Sequence, residues 1–197
     1  MRLTLLPALA GLLALGGCFG GGSVPDQLFT LSAAETRPAA APRIAEPGQA
    51  ITVADPTVPQ ALRTQRVPVY IDETSIQYLQ DAQWVENPAA LFGRLVGEVI
   101  AARTGRVVLD TAQYTNEPGT VLTGQLQRFG IDPTSMEAVA LYDVAVANPT
   151  GGIRSNRFEA RVPVAEVTPL AAAPALNQAA NQIAEQVAAW VGGTPAS

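Results

Sequence analysis

Arg66-Val-Pro-Val-Tyr-Ile-Asp-Glu-Thr74, Ser75-Ile-Gln-Tyr-Leu79, Trp84-Val-Glu-Asn-Pro88 and, beyond a helical pattern, Thr104-Gly-Arg-Val-Val-Leu109 form the stretch that decides the fold. Val67 to Ile71 alternates as an apolar strand. Pro68 has no backbone donor, which predicts an edge strand or a place near the strand's start. Trp84 closes a short second segment. Asn87 stands where a helix cap belongs, and Pro88 takes the first helical position, where its missing N–H costs nothing. Leu91, Leu95 and Val99 fall on one helical stripe, with Phe92, Val96 and Ile100 beside it. Gly105 ends the helix after Arg103 and Thr104. Val107 to Leu109 then predicts a new buried strand. The stretch reads as a strand–helix–strand unit.

Working outward, Gln27-Leu-Phe-Thr-Leu31 alternates and predicts a first strand, and Ile51 to Ala54 a second. Between them, residues 32–49 form an Ala/Pro-rich, extended loop. On the C-terminal side, Asn116-Glu-Pro-Gly119 is a turn. Thr120 to Asp132 is a strand in which Gly124 marks a bend or bulge. Asp132-Pro-Thr-Ser135 is a turn before the long strand Glu137 to Ala147. That strand carries Ala138, Ala140, Tyr142, Val144 and Val146 on one face; Val139 and Leu141 make the other partly apolar, as in a central strand. Asn148-Pro-Thr-Gly-Gly152 turns the chain again. In Arg157 to Val164, Phe158, Ala160, Val162 and Val164 face in, and Arg157, Glu159 and Arg161 face out. A final helix occupies Pro169 to Val191, with its main body from about residue 173. Leu176, Ile183, Val187 and Trp190 form its apolar stripe; Asn177, Asn181 and Glu185 lie opposite. The expected fold is α/β: one domain over residues 27–192, with a mixed sheet, an antiparallel C-terminal meander and two main helices at about 88–104 and 173–191. Residues 193–197 are a tail.

Composition narrows the function. The chain is 48% hydrophobic and 15% charged, ample for a core. All twelve basic residues are arginine, and there is no histidine. The commonest general base, metal ligand and pH switch are thereby missing together. A net charge of −5 argues against a nucleic-acid partner, since phosphate binding needs a basic face.

Met1-Arg2 is a short positive lead, and Leu3 to Leu15 an apolar run of about thirteen residues. Spanning a bilayer takes roughly twenty; the run fits the apolar region of a secretory signal peptide. It ends in Leu15-Gly16-Gly17-Cys18, and Cys18 is the chain's one cysteine. Leu-Gly-Gly-Cys resembles the lipobox of bacterial lipoproteins, whose cysteine becomes the acylated N-terminus. Residues 1–17 are then the signal peptide and 18–26 an acylated, glycine-rich tether. Phe19 follows the cysteine, without the aspartate that signals inner-membrane retention, so outer-membrane sorting is expected. Arg2 leaves with the signal peptide, which leaves eleven arginines against seventeen acids. If the first strand docks, about eight residues separate lipid from fold, a reach of at most about 28 Å.

Other constellations carry less. No Gly-x-Ser-x-Gly elbow, phosphate-binding glycine loop or cysteine–histidine metal spacing occurs. Asp72 and Glu73 with Asp81 could form a cation site, but adjacent strand residues point to opposite faces, which favours a solvated turn. Gly151-Gly152 reads as a hairpin turn. Tyr78 and Trp84 have two open readings: exposed aromatics at a partner surface, or packing beneath the first helix.

The order of these pieces resembles the ABC-type transport auxiliary lipoproteins, the paraquat-inducible protein C-like family. The resemblance runs from the lipobox through Phe29 to Leu31, then Ile51-x-Val53-x-x-Pro56-x-x-Pro59-x-x-Leu62. It continues with Ile76-x-Tyr78, Trp84-x-Glu86-x-Pro88, Leu126-x-x-Phe129 and a final alanine-rich helix ending at Trp190. It covers nearly the whole mature chain; the long Ala/Pro stretch from Arg37 to Pro47 departs from it. The resemblance implies a periplasmic mixed-sheet domain working beside an ABC permease and ATPase, with MCE-domain proteins, which form lipid tunnels, as partners. It implies no catalytic role and transfers no ligand residues. The expectation is an outer-membrane lipoprotein, anchored on the periplasmic face, that docks an MCE-type lipid-transport complex. It has no enzymatic activity, cofactor, metal or nucleic-acid partner, and self-association is left open. The rival expectation is a periplasmic lipoprotein that binds lipid or a small molecule in a pocket.

Overall fold

The computed structural model describes residues 27–34, 44–46, 48–112, 119–149 and 151–193. Cys18, the signal peptide and the tether lie outside the described residues, as do most of the Ala/Pro loop and Asn116 to Pro118 of the predicted turn. In chain order the elements are β1 (Ile51–Val53), β2 (Arg66–Tyr70), β3 (Ile76–Gln83), α1 (Pro88–Thr104), β4 (Val108–Asp110), β5 (Thr120–Asp132), β6 (Glu137–Ala147), β7 (Ile153–Pro163) and α2 (Pro169–Val191). A 3₁₀ turn at Gln60–Leu62 precedes β2.

All seven strands join one mixed sheet, and β5 is its spine. One edge of β5 pairs antiparallel with β6 along its length, and β6 pairs antiparallel with β7 in unbroken register from Glu137↔Pro163 to Ala147↔Ile153. The other edge is shared. Thr120 to Leu122 pairs parallel with β1, and Ile131 with Val69 of β2. β4 extends the sheet beyond β1, and β3 beyond β2. The mixed sheet, the C-terminal meander and the two helices are as the sequence predicts.

The strand–helix–strand unit does not close on itself, because β5 and β1 stand between β2 and β4. β2 is flanked on both sides, so Pro68 lies on no edge. It is tolerated beside the register shift between Arg66 and Pro68, where the ladder with β3 is already interrupted. β4 is a three-residue, half-buried edge strand rather than a fully buried one. The segment from Gln27 to Leu31 makes a single bridge, Phe29 to Trp84, and no strand.

The irregularity of β5 lies between Leu126 and Arg128, not at Gly124. Leu122 and Leu126 keep an even spacing toward the core, but Phe129 comes three residues after Leu126, on the wrong parity for a regular strand. The bulge absorbs the extra residue and returns Phe129 and Ile131 to the core face, both fully buried. It also frees the Phe129 N–H, which donates to Tyr70 Oη at 3.1 Å. Gly124 serves a different end: a Cβ there would lie 2.5 Å from the Tyr142 ring and from the Asp143 carbonyl oxygen.

α1 starts and stops where its local signals predict. The Asn87 side chain accepts from Ala89 N–H at 2.9 Å, and Gly105 closes the helix at φ 73°. α2 begins at Pro169, earlier than residue 173, and accommodates Pro174 inside its second turn. That proline removes the bond to the carbonyl of Leu170, whose side chain is exposed. The two helices lie side by side over the inner face. Arg103 reaches Glu185 at 3.3 Å, and Gly192 sits beside Thr104, so both helices run the same way.

Between helices and sheet runs a chain of rings. Phe29 meets Trp84 edge-on at 5.5 Å, Trp84 stacks on Phe129 at 5.2 Å, and Phe92 of α1 meets Phe129 at 6.1 Å and Tyr142 at 5.1 Å. Trp84 is 1% exposed. Replacing it is therefore a core truncation: Trp84→Ala is expected to lower unfolding free energy by about 3–5 kcal/mol in urea denaturation. Tyr70→Phe keeps the ring but leaves the Phe129 N–H buried without an acceptor. Its expected cost is about 1–3 kcal/mol, and an unchanged urea midpoint would refute the role given to Tyr70.

Candidate functional site

The described chain begins at Gln27, so what holds residues 27–34 fixes where the tether leaves the body. Two attachments do so. Phe29 N–H donates to the Gln83 carbonyl at 2.7 Å, and Val85 N–H donates to the Phe29 carbonyl at 2.8 Å, which adds one residue of parallel pairing outside the end of β3. The Phe29 ring inserts against Trp84. Three residues on, α2 takes over. Ser32 N–H donates to Asn177 Oδ1 at 2.9 Å, and Ala34 N–H to Asn181 Oδ1 at 2.8 Å. Asn181 Nδ2 donates to the Ser32 carbonyl at 2.9 Å and to the Asn177 carbonyl at 2.8 Å.

Asn177 and Asn181 are spaced i, i+4, so their amides stack one turn apart and meet an extended backbone as a neighbouring strand would. The sequence reading set both on the face opposite the apolar stripe. Asn181 is instead buried, because residues 32–34 lie over it. The available signal was an asparagine pair one turn apart in a helix otherwise rich in alanine.

The two aromatic candidates separate. Trp84 is a core residue, inaccessible to a partner, and it packs between Phe29 and Phe129. Tyr78 is half-buried on β3. Its hydroxyl donates to the Ala61 carbonyl at 3.3 Å, and the Arg66 guanidinium lies 4.1 Å above its ring. Arg128 covers Tyr70 in the same manner at 4.3 Å. Burial pushes the Tyr70 hydroxyl above its ordinary pKa, with Arg128 acting against the shift, and Tyr142 is raised by burial alone. Both phenols stay neutral at any physiological pH.

The face of the sheet turned away from the helices is polar. Arg157 grips Asp143 through two bonds of 2.6 and 2.9 Å, which holds that carboxyl below its usual range. Arg161 bridges Glu159 at 2.6 Å and Glu137 at 3.1 Å. Such exposed pairs are worth little individually. Asp72 sits in the β2–β3 turn, where Thr74 N–H and Oγ1 donate to it at 2.8 and 2.9 Å and lower its pKa. That is the solvated-turn arrangement. Among the described residues no three His, Cys, Asp or Glu side chains group as metal ligands would. Gly151 and Gly152 take φ of 101° and 92° in the β6–β7 turn, as a hairpin reading requires.

Depressions on the described surface, two of which lie near charged side chains, open directly to solvent. One, of about 490 Å³, lies between α1 and the β1–β4 edge around Asp55, Gly93 and Arg94. Burial raises the Asp55 pKa there, and Arg94 opposes the rise. The other, of about 610 Å³, lies on the polar sheet face around Gly124 and Arg157. Neither is closed over by protein or brings together a nucleophile and a base. Among the described residues no helix is long and apolar enough to cross a membrane.

The crystal structure of protein XCC0632 from Xanthomonas campestris is similar to this chain with a TM-score of 0.65 at 17% identity, covering 84% of this chain and 94% of that one. A second crystal structure, of an uncharacterized protein, is similar with a TM-score of 0.61 at 9% identity over 85% of this chain and 98% of the other. At those identities the likeness is one of fold. No curated protein matches the sequence. The family described as ABC-type transport auxiliary lipoprotein component matches residues 29–188, from the ring that meets Trp84 to the last turn of α2, and the chain belongs to that family.

Proposed function

We propose that this chain is an outer-membrane lipoprotein, acylated at Cys18 and facing the periplasm, that serves as the auxiliary subunit of an MCE-type ABC lipid-transport system. Membership of a transport-auxiliary lipoprotein family supports the first half of that reading. The observation that carries it further is the double attachment of residues 29–34 to β3 and α2. With the chain fixed from Phe29 onward, ten residues remain between Cys18 and the body, so an acyl anchor would hold the body within about 36 Å of its bilayer. A domain held so close cannot cross the periplasm alone, and it acts by receiving the distal end of a longer partner. Outer-membrane sorting follows from Phe19 after the cysteine.

The reading is non-catalytic and needs no cofactor or metal. The protein's work is to bind, and Tyr78 on β3 is the candidate contact for an MCE-domain partner. Aromatic and arginine side chains with a rigid, half-buried base are the usual anchors of such surfaces.

Exchanging residues 1–18 for the cleavable signal peptide of a soluble periplasmic protein is expected to move the protein from the outer-membrane fraction to the soluble periplasm and to abolish metabolic labelling with palmitate. A variant that stays in the membrane without label would refute the anchor. Affinity purification of the tagged wild type is expected to bring down an MCE-domain protein, and Tyr78→Ala to weaken that capture. Clean negative pull-downs against every MCE-domain protein of the cell would remove the partner assignment.

A further inference from the structure

The attachment of residues 29–34 leaves an apolar shelf where the tether enters. Phe29 and Trp84 pair just beyond the end of β3 and turn their rings inward. By strand alternation, their neighbours Leu28 and Val85 project from the other side; because the pairing is parallel they stand diagonally to one another, with Thr30 and Gln83 between them on that face. Leu28 is 43% exposed and Val85 48%. Arg63 and Arg66 stand at the same end of the sheet, both exposed, and neither forms an ion pair with a described carboxylate. Glu86 is there as well, paired with Arg94, and Asp81 is the remaining acid of β3.

We infer that the Leu28–Val85 shelf, rimmed by Arg63 and Arg66, is a membrane-contact surface that lies against the lipid headgroups of the bilayer holding the anchor. The inference rests on the acylation of Cys18 proposed above. The occupant follows from where the tether ends. Its last residue before the fold adjoins Leu28, so the nearest large surface within its reach is the bilayer itself. Two aliphatic side chains would bind a membrane weakly by themselves. Once the chain is acylated the contact is intramolecular, with an effective concentration on the order of millimolar for a short linker, and a weak contact then suffices. The arginines outnumber Asp81, which suits an anionic headgroup layer. Phe29 is the positioning residue. Its backbone bonds to Gln83 and Val85 and its ring contact with Trp84 fix the point from which the tether leaves, so the shelf rather than another face of the domain is turned toward the lipid.

The test uses the mature, acylated protein in phosphatidylethanolamine–phosphatidylglycerol vesicles. Acylation consumes the thiol of Cys18, so an environment-sensitive dye can be placed by Val85→Cys, or by Ile76→Cys at the far end of β3. Vesicle flotation first establishes the anchor. The expected result is blue-shifted emission at position 85, quenched by spin-labelled lipid, and water-like, unquenched emission at position 76. Leu28→Asp, at an exposed site, should abolish the quenching at 85 while the protein still floats. A floating protein whose position-85 dye is no more quenched than the one at 76 overturns the contact surface and leaves the anchor standing. A protein that does not float overturns the anchor, and the inference with it.

Discussion

The stack of Trp84 on Phe129 is the contact on which the rest depends. It joins three things that lie far apart in sequence: the end of the β2–β3 hairpin, the spine strand β5, and, through Phe29, the N-terminal segment of the described chain. Phe129 reaches that position only because β5 bulges after Leu126, and the bulge is tolerable only because Tyr70 takes up the freed N–H. An unmade bond of that kind in a dry core costs about as much as a good contact contributes. The aromatic stack, the bulge and the phenol are thus one arrangement.

This arrangement explains why β5 can carry two parallel neighbours on one edge. β1 meets its first residues and β2 its last, while the intervening Thr57 makes a single bridge to Gln125. The opposite edge is saturated by β6. The helices then need only one apolar face each. α2 fills the space over β6 and β7 largely with alanine, which lets it approach closely and leaves its flank free to take the N-terminal segment.

What the sequence revealed and what it hid divide along a physical line. α1 was legible to the residue because Asn87, Pro88 and Gly105 act within a turn of where they stand. The β6–β7 meander was legible because alternation and a glycine turn are also local. Strand order was not. Nothing near Val67 or Val107 states that β5 and β1 will come between them, and Pro68 looked like an edge residue because its bulge is made with a partner strand. Trp84 and Asn181 were misplaced or left open for the same reason. An aromatic ring or an amide reads alike whether it meets solvent or a distant segment, and in both cases the distant segment was the N-terminal chain. The Leu-Gly-Gly-Cys stretch at Cys18 that resembles a lipobox was plain in the sequence, while the shelf and the asparagine pair emerge only when residues 28–34 are laid against β3 and α2.

The chemistry of the attachment also bears on how the protein would behave at a membrane surface. The polar face of the sheet is held by Arg–Asp and Arg–Glu pairs that are exposed and weaken as salt rises. The N-terminal attachment uses none of these. It consists of backbone bonds to β3, two neutral carboxamides and a buried ring contact. None of those groups titrates between pH 5 and 8, and with no histidine in the chain no unperturbed side chain does. Close to anionic headgroups, local proton and counter-ion concentrations depart from the bulk values, and an ionic clasp would loosen and tighten with them. A clasp of amides and aromatic rings holds the same geometry throughout.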